Sequence, residues 1–439
     1  LSNYGIILFQ QGYIDKSINL FKKSIESYPY ESDLYINLSN IFKLNNELIN
    51  AEILIRKAIE INSDSIIALN NLVSILIIKK NFFEAERFCL SSLKINPNNH
   101  CALYNLGLIY INLNRLNDSI TLFRKAIEYE TEDFSSNLNL GVALLKKDEF
   151  EESKKYNQIA LKLNNSSFEP LFNLGQIALF TNDFKSAVKY FKRSLTNQAN
   201  NYKIHRYLGI AQFLCNKEES LENLDKSILL SPKTNLSKVL FEVIKLKIKK
   251  QQSKKVINQD YHDLRDTEPI ILRREVETEL LNYIYNKKTL DLNKFDDPTF
   301  GNARGTDYKL FEEDHEILNI IRFNLIQLIE NHFKCKVYFR DSFFTILEGS
   351  GEVNKHNHLD NLDKVKKLDL YHHKFSLVYY LKTGNKDCSE PGYISFYNPH
   401  MKLLPEPGMI IIFPSERYHS VIYNGYEDRV IIGVNFYIF

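Results

Sequence analysis

Towards the C-terminal end of the chain, His356-Asn357-His358-Leu359-Asp360 is followed at a distance by His419 and then Arg429. Two imidazoles and one carboxylate brought together from separate strands form the facial set that holds a ferrous ion with adjacent positions open. An arginine ten residues after the last histidine offers a planar cation that can grip a carboxylate through two parallel hydrogen bonds. On a strand, residues two apart point the same way, so His356, His358 and Asp360 all share one face if the strand runs through them. Two ligand sets follow. One is His358, Asp360 and His419. The other pairs His356 with His358 beside His419 and leaves Asp360 outside the metal. The first is favoured, because one carboxylate neutralises half of the metal's charge and keeps the site hard.

These residues need strands to carry them. From 336 onward, apolar runs alternate with turn signals, and strands are expected at 337–347, 375–381, 392–397, 408–413, 419–423 and 429–439. Gly349-Ser350-Gly351, Pro391-Gly392, Pro407-Gly408 and Asn424-Gly425 punctuate them. Ahead of the strands, 275–286 and 312–333 have apolar residues at helical spacing, with a loop at 298–305 between them. His372 and His373 are expected on an exposed loop, and His400 at a structural turn. Helices followed by a run of strands indicate an α+β arrangement in which helices support a barrel or sandwich.

The first half of the chain repeats every 34 residues. Asn3, Asn37, Asn71, Asn105, Asn139 and Asn173 each open a matching unit. Small residues recur at Ser17, Ala51, Ala85, Ser119, Ser153 and Ala187, and again at Ser24, Ala58, Ser92, Ala126, Ala160 and Ser194. Large apolar residues such as Phe21, Ile55, Phe123 and Phe191 lie between them. Small residues let two antiparallel helices approach, and the large ones fill the remaining gap. A period of 34 built this way is the tetratricopeptide signature. About seven such units over 1–235 stack into a superhelix, because none can bury its apolar face alone. A capping helix is expected at 236–250, followed by a polar linker to 255, and 256–439 forms the second domain.

Composition narrows the function. Net charge is +2, with 44% hydrophobic and 25% charged residues. That is an ordinary globular balance with no footprint for nucleic acid or an anionic membrane. No apolar run approaches the ~20 residues of a membrane-spanning helix. Cys89, Cys101, Cys215, Cys335 and Cys388 are scattered singly, so they are expected as small buried apolar residues in a reducing compartment, and a cytoplasmic location follows.

From about 253 onward the chain resembles the Fe(II)- and 2-oxoglutarate-dependent oxygenases of the prolyl-hydroxylase-like branch. The motifs that carry the likeness are His358-Leu359-Asp360, Ser376-Leu-Val-Tyr-Tyr380-Leu381, Pro405-Glu-Pro-Gly408, Phe413-Pro-Ser-Glu-Arg-Tyr-His419, and Arg429 in Arg429-Val-Ile-Ile-Gly-Val-Asn435-Phe436. The last segment is similar to the ending of a bacterial and phage subgroup, several members of which carry tetratricopeptide repeats in front. The resemblance implies a double-stranded β-helix, a jelly roll, with its barrel core over 336–439. It implies Fe(II) on His358, Asp360 and His419. It implies 2-oxoglutarate on Arg429 with Tyr380 as a second donor, and ascorbate as a supporting reductant. The reaction implied couples decarboxylation of 2-oxoglutarate to hydroxylation of an unactivated C–H bond. Two departures stand out. Ile431 occupies a position where many members have Ser or Thr, and the lysine-rich connection from Asp360 to Phe375 is long enough to form a lid.

The repeat asparagines have two readings. Asparagine is frequent at this position in tetratricopeptide repeats. Alternatively, six stacked amides form a ladder, since each can donate to and accept from a peptide backbone at once. Such a ladder resembles the one in the repeat domain of O-linked N-acetylglucosamine transferases. Collagen prolyl hydroxylases also join a tetratricopeptide module to this barrel, so a polypeptide, with proline as first candidate, is the leading substrate class. A sugar, lipid or small metabolite substrate with a partner protein in the repeat groove is a second reading. A non-catalytic scaffold is a third.

Overall fold

The computed structural model describes residues 2–217, 219–232, 235–252, 268–287, 289–291, 303–305, 309–347, 351–397 and 399–439. The chain divides into two compact units, Leu1–Ser166 and Ser167–Phe439.

The first unit is all helix, from α1 (Ser2–Gln10) to α10 (Phe150–Leu163), in antiparallel pairs. Each pair is one 34-residue repeat. The close approach that the small residues allow is visible atom by atom. Ser17, Ser39 and Ser153 donate their hydroxyls across the pair to the carbonyls of Gly5, Ala51 and Gly141. Phe123 is fully buried beneath Gly107. The repeat also extends to the backbone. Asn46, Lys80, Asn114 and Asp148 all adopt positive φ between the two helices of a repeat. In each case the next residue donates back across the turn, as from Glu47 N to Phe42 O and Asn81 N to Leu76 O, both 2.8 Å. This is the left-handed helix stop that satisfies otherwise orphaned carbonyls. Among the cysteines only Cys89 is fully buried, and burial pushes its thiol up to about 12; Cys101 is exposed, against expectation.

The second unit joins five further helices, ending in α15 (Asn235–Gln252), to two antiparallel sheets. The strands are β1 (Ile270–Arg273), β2 (Leu290–Asp291), β3 (Ala303–Gly305), β4 (Val337–Leu347), β5 (Gly351–His356), β6 (Lys374–Thr383), β7 (Pro391–Tyr397), β8 (His400–Leu403), β9 (Met409–Pro414), β10 (His419–Tyr423) and β11 (Arg429–Ile438). One sheet has the order β1-β9-β6-β11-β4-β3-β2 and the other β5-β10-β7-β8. Two helices, α16 (Thr278–Asn286) and α17 (Glu316–Phe333), bury Leu280, Ile321, Leu325 and Ile329 in one core with the inward residues of the seven-stranded sheet. A separate core of Val378, Tyr380, Phe396, Ile411 and Phe413 draws on strands of both sheets.

Several sequence expectations shift here. β3 occupies the end of the expected loop at 298–305, whose first residues lie outside the described set, as do most of the expected linker after 252 and Gly349-Ser350. His400 opens β8 instead of sitting in a turn. The connection expected as a lid is packed down. Leu362, Leu368 and Leu370 are buried in a core with Leu208, Val239 and Tyr437, while Lys364, Lys366 and Lys367 point to solvent. For the same reason the last helices group with the sheets, in the unit Ser167–Phe439.

Gly107→Val puts a branched side chain where even a Cβ alone would lie 2.7 Å from the Phe123 ring. Overpacking of this kind costs about 1–3 kcal/mol, more than the few tenths gained from helix propensity. Urea unfolding is expected to show that loss, and a variant as stable as the parent contradicts the packing described.

Candidate metal centre

β5 and β10 run antiparallel with His356 directly opposite His419, and the register shifts just beyond, between His419 and Val421. Such a bulge re-aims side chains. β5 stops at His356, and His358 is fixed from both sides of its peptide. Its N–H donates to the Ser415 carbonyl at 2.9 Å, and its carbonyl accepts from Lys374 Nζ at 2.6 Å. The three rings converge, with centroids 4.3 Å apart for His356–His419, 4.8 Å for His356–His358 and 5.2 Å for His358–His419.

One nitrogen from each of the three lies within 4.8 Å of the others. Nitrogens bound to one ion at about 2.1 Å sit no more than ~4.2 Å apart. The set therefore needs only a small contraction to close on a divalent cation. His419 Nδ1–H donates to the Arg417 carbonyl at 3.3 Å, which leaves Nε2 with its lone pair free, the arrangement common behind metal-binding imidazoles. Burial first, and the neighbouring imidazoles second, hold His358 well below the ordinary histidine range and pull His419 down to about 3. Both are neutral donors at physiological pH.

The imidazoles open on a cavity of about 50 Å³ lined by Val353, Tyr380, Ile394, Arg429 and others from both sheets. Arg429 is almost fully buried, at 1% exposure. Its Nη1 donates to the Gly392 carbonyl, it hydrogen-bonds to the Tyr380 hydroxyl, and its guanidinium lies 5.0 Å over the Tyr380 ring. Gly392 has φ +85°, and a Cβ there would collide with the guanidinium, so only glycine allows this approach. No carboxylate pairs with Arg429 among the described residues. Burial lowers its pKa, with the tyrosines opposing.

Asp360 is not part of this cluster, contrary to the ligand set favoured from sequence. The expectation assumed a strand continuing through it, and the strand ends four residues earlier, so the two-residue alternation does not reach it. Its Oδ1 accepts from the backbone N–H of Leu362 at 2.8 Å and of Asp363 at 3.2 Å. Its Oδ2 pairs with Arg340. Burial works to raise this carboxyl, but Arg340, Lys374 and the two amides hold it below the ordinary range. Arg340, Asp363, Lys374 and Tyr437 escaped the sequence reading. Lys374 Nζ and the Tyr437 hydroxyl donate to opposite oxygens of Asp363 at 2.6 and 2.8 Å, all within the protein interior. A lysine heading the apolar run Phe375–Leu381 was the available signal.

The repeat asparagines divide. Asn3 is exposed, Asn37, Asn71, Asn105 and Asn139 are half-buried, and Asn173 is buried. Asn139 donates its amide to the Ser135 carbonyl of its own helix at 2.9 Å and to the Tyr104 hydroxyl at 3.3 Å.

Comparison with known proteins speaks to the helices. Residues 32–65, 88–121 and 168–201 match models of the tetratricopeptide repeat, so the helical part is built of such repeats. The chain is similar to a chain of the APC/C hetero-tetramer Cut9-Hcn1 at TM-score 0.50 and 15% identity, over 56% of this chain and about half, 48%, of that one. It is also similar to a tetratricopeptide repeat protein from Parabacteroides merdae (TM-score 0.45, 16% identity, 55% of this chain and 96% of that one) and to Pseudomonas aeruginosa pilF (0.43, 20%, 47% and 94%). At such identities the first likeness shows the helical-repeat fold alone. No curated protein matches the chain. No helix among the described residues is long and apolar enough to cross a membrane.

A pH dependence follows from the imidazoles. An unfolded chain titrates His358 and His419 near ~6.5, whereas the folded, metal-free site keeps both neutral to far lower pH. Between those values the unfolded state binds more protons, so stability falls as pH drops. For His419 the loss from pH 6.5 to pH 5 is on the order of 2 kcal/mol. Urea unfolding in chelator is expected to show a shallower pH slope for His419→Gln; an unchanged slope contradicts neutral burial.

Proposed function

We propose that the chain is an Fe(II)- and 2-oxoglutarate-dependent dioxygenase that hydroxylates a polypeptide side chain, with the repeats docking the substrate or its carrier. The observation that carries this reading is Arg429: a buried guanidinium without an acidic partner among the described residues, in one cavity with three imidazoles, two of which, His358 and His419, burial keeps neutral. A buried unpaired charge is costly, and a ligand carboxylate offsets that cost. The sequence motifs and the two facing antiparallel sheets support a jelly-roll barrel as the frame.

His356, His358 and His419 are the residues that would hold the metal, which when bound supplies activation of dioxygen and of the 2-oxo acid. Arg429 binds the far carboxylate of 2-oxoglutarate through paired N–H donors, and the Tyr380 hydroxyl adds a hydrogen bond beside it. Val353, Val378 and Ile394 give the cavity apolar walls that exclude water and fix the co-substrate's direction. Lys374 and Ser415 hold the His358 peptide so that its ring does not swing away. Ascorbate would serve as a supporting reductant.

The polypeptide assignment rests on the tetratricopeptide module, whose recurring asparagines present amides at one position of successive repeats. A sugar, lipid or metabolite substrate is the competing reading, with the repeats then holding a partner protein. A peptide array probed with the full chain discriminates them. Replacing Asn37, Asn71 and Asn105 by alanine is expected to weaken array binding; indifference to the change removes the ladder.

The enzyme reading has its own test. With Fe(II), the purified chain is expected to turn 2-oxoglutarate slowly into succinate without added substrate. His419→Ala abolishes this, and Arg429→Gln raises the 2-oxoglutarate KM by at least ~30-fold, the scale of removing one partner of a buried charge pair. No succinate from a chain with iron confirmed bound leaves the scaffold reading in its place.

A further inference from the structure

We infer that the metal ligand set of this chain is three imidazoles, His356, His358 and His419, and that Asp360 has been moved out of the metal's reach into an ion network that positions His358. The inference rests on the metal-centre reading above, and it changes the charge and metal preference of that centre.

Three observations converge. The only grouping of imidazoles, thiolates and carboxylates found close enough to share an ion among the described residues is this trio, and it contains no acid. Both Asp360 oxygens are occupied, Oδ1 by two backbone amides and Oδ2 by Arg340. The Asp360 N–H in turn donates to Asp363 Oδ2 at 2.9 Å, so Asp360 and Asp363 bracket one tight turn reciprocally. Swinging the carboxylate to a metal would open that turn and take the nearest acid from Arg340, leaving it Asp341 at 3.4 Å and Asp363 at 3.8 Å. Arg340 also donates to the Tyr437 hydroxyl at 3.0 Å, and that hydroxyl donates onward to Asp363.

The network has a target. Lys374 Nζ sits between Asp363 Oδ2 and the His358 carbonyl, 2.6 Å from each. Asp360 braces Asp363, Asp363 holds Lys374, and Lys374 holds the peptide of a ligand. Asp360 is thus a positioning residue acting through two others. The place of the carboxylate in the ligand set is taken by His356, which the register with β10 sets opposite His419.

The chemical consequence is a change of charge. Two imidazoles and a carboxylate leave a divalent ion with one net positive charge; three imidazoles leave it with two. The ion then draws an anionic chelating ligand more strongly. An all-nitrogen set also favours iron, cobalt, nickel, copper and zinc over magnesium and manganese, which prefer oxygen donors.

The test uses the full chain, stripped by chelator, with Co(II) as the probe. Binding is followed by visible absorbance for the parent, His356→Ala and Asp360→Asn. His356→Ala is expected to weaken Co(II) binding by more than ~100-fold. Asp360→Asn keeps the acceptor for the backbone amides and is expected to lose no more than ~10-fold, the scale of a contact behind a ligand. The reverse order overturns the inference, and so does a parent chain that binds no Co(II). Should Asp360→Asn fail to fold, pulsed electron paramagnetic resonance of the Cu(II)-loaded parent decides. Three coupled imidazoles support the set, and two overturn it. A parent that shows three imidazoles yet makes no succinate with Fe(II) removes the oxygenase reading and leaves this ligand set standing.

Discussion

In the four-stranded sheet His356 lies across from His419, and a slip of one residue would send either ring to the opposite face. The convergence of imidazoles depends on that register. It is fixed from both sides, because β10 also pairs with β7, where His419 faces Phe396. His358 lies beyond the strand and cannot be held by the ladder, so it is tied by its own peptide to Ser415 and Lys374. Two of the imidazoles are therefore set by sheet geometry and the third by hydrogen bonds to its own backbone.

The interior of the second unit carries more charge than a structural core requires. Arg429, Arg340, Lys374 and Asp363 are all largely withdrawn from water. Arg340 and Lys374 have acidic partners, and their network braces the loop after His358. Arg429 has a carbonyl, a hydroxyl and an aromatic face, none of which neutralises it. Removing its surroundings from water without supplying a counter-charge is unfavourable for folding. In the proposed reading the missing charge belongs to the co-substrate, so the site is completed by its ligand. The neutral imidazoles of His358 and His419 beside it carry the same sense, since a positively charged histidine there would compete for that anion.

Much of this was legible in the sequence, and the failures have physical causes. The 34-residue period was visible because it is written in small and large apolar residues that pack directly. The left-handed stops at Asn46, Asn114 and Asp148 share that period and could have been read from their Asn and Asp identities. The strands that His419 and Arg429 open were legible because each begins an apolar run bounded by turn signals. That Asp360 lies beyond the strand was not foreseen, because alternation says nothing about where a strand ends. The lysine-rich connection looked like a lid because its charges are conspicuous, whereas Leu362, Leu368 and Leu370 decide its fate. The network of Arg340, Asp363 and Lys374 joins residues far apart in sequence, and no local pattern announces it.

The central claim is that a metal and an anion-binding guanidinium share one cavity between the sheets. Anaerobic titration of the Fe(II)-loaded full chain with 2-oxoglutarate tests it most directly, because chelation of ferrous ion by a 2-oxo acid gives a visible charge-transfer absorbance. A saturable band with one equivalent of ligand is expected, and a weakened one in Arg429→Gln. An iron-loaded chain that shows no such band at any concentration of the acid contradicts it.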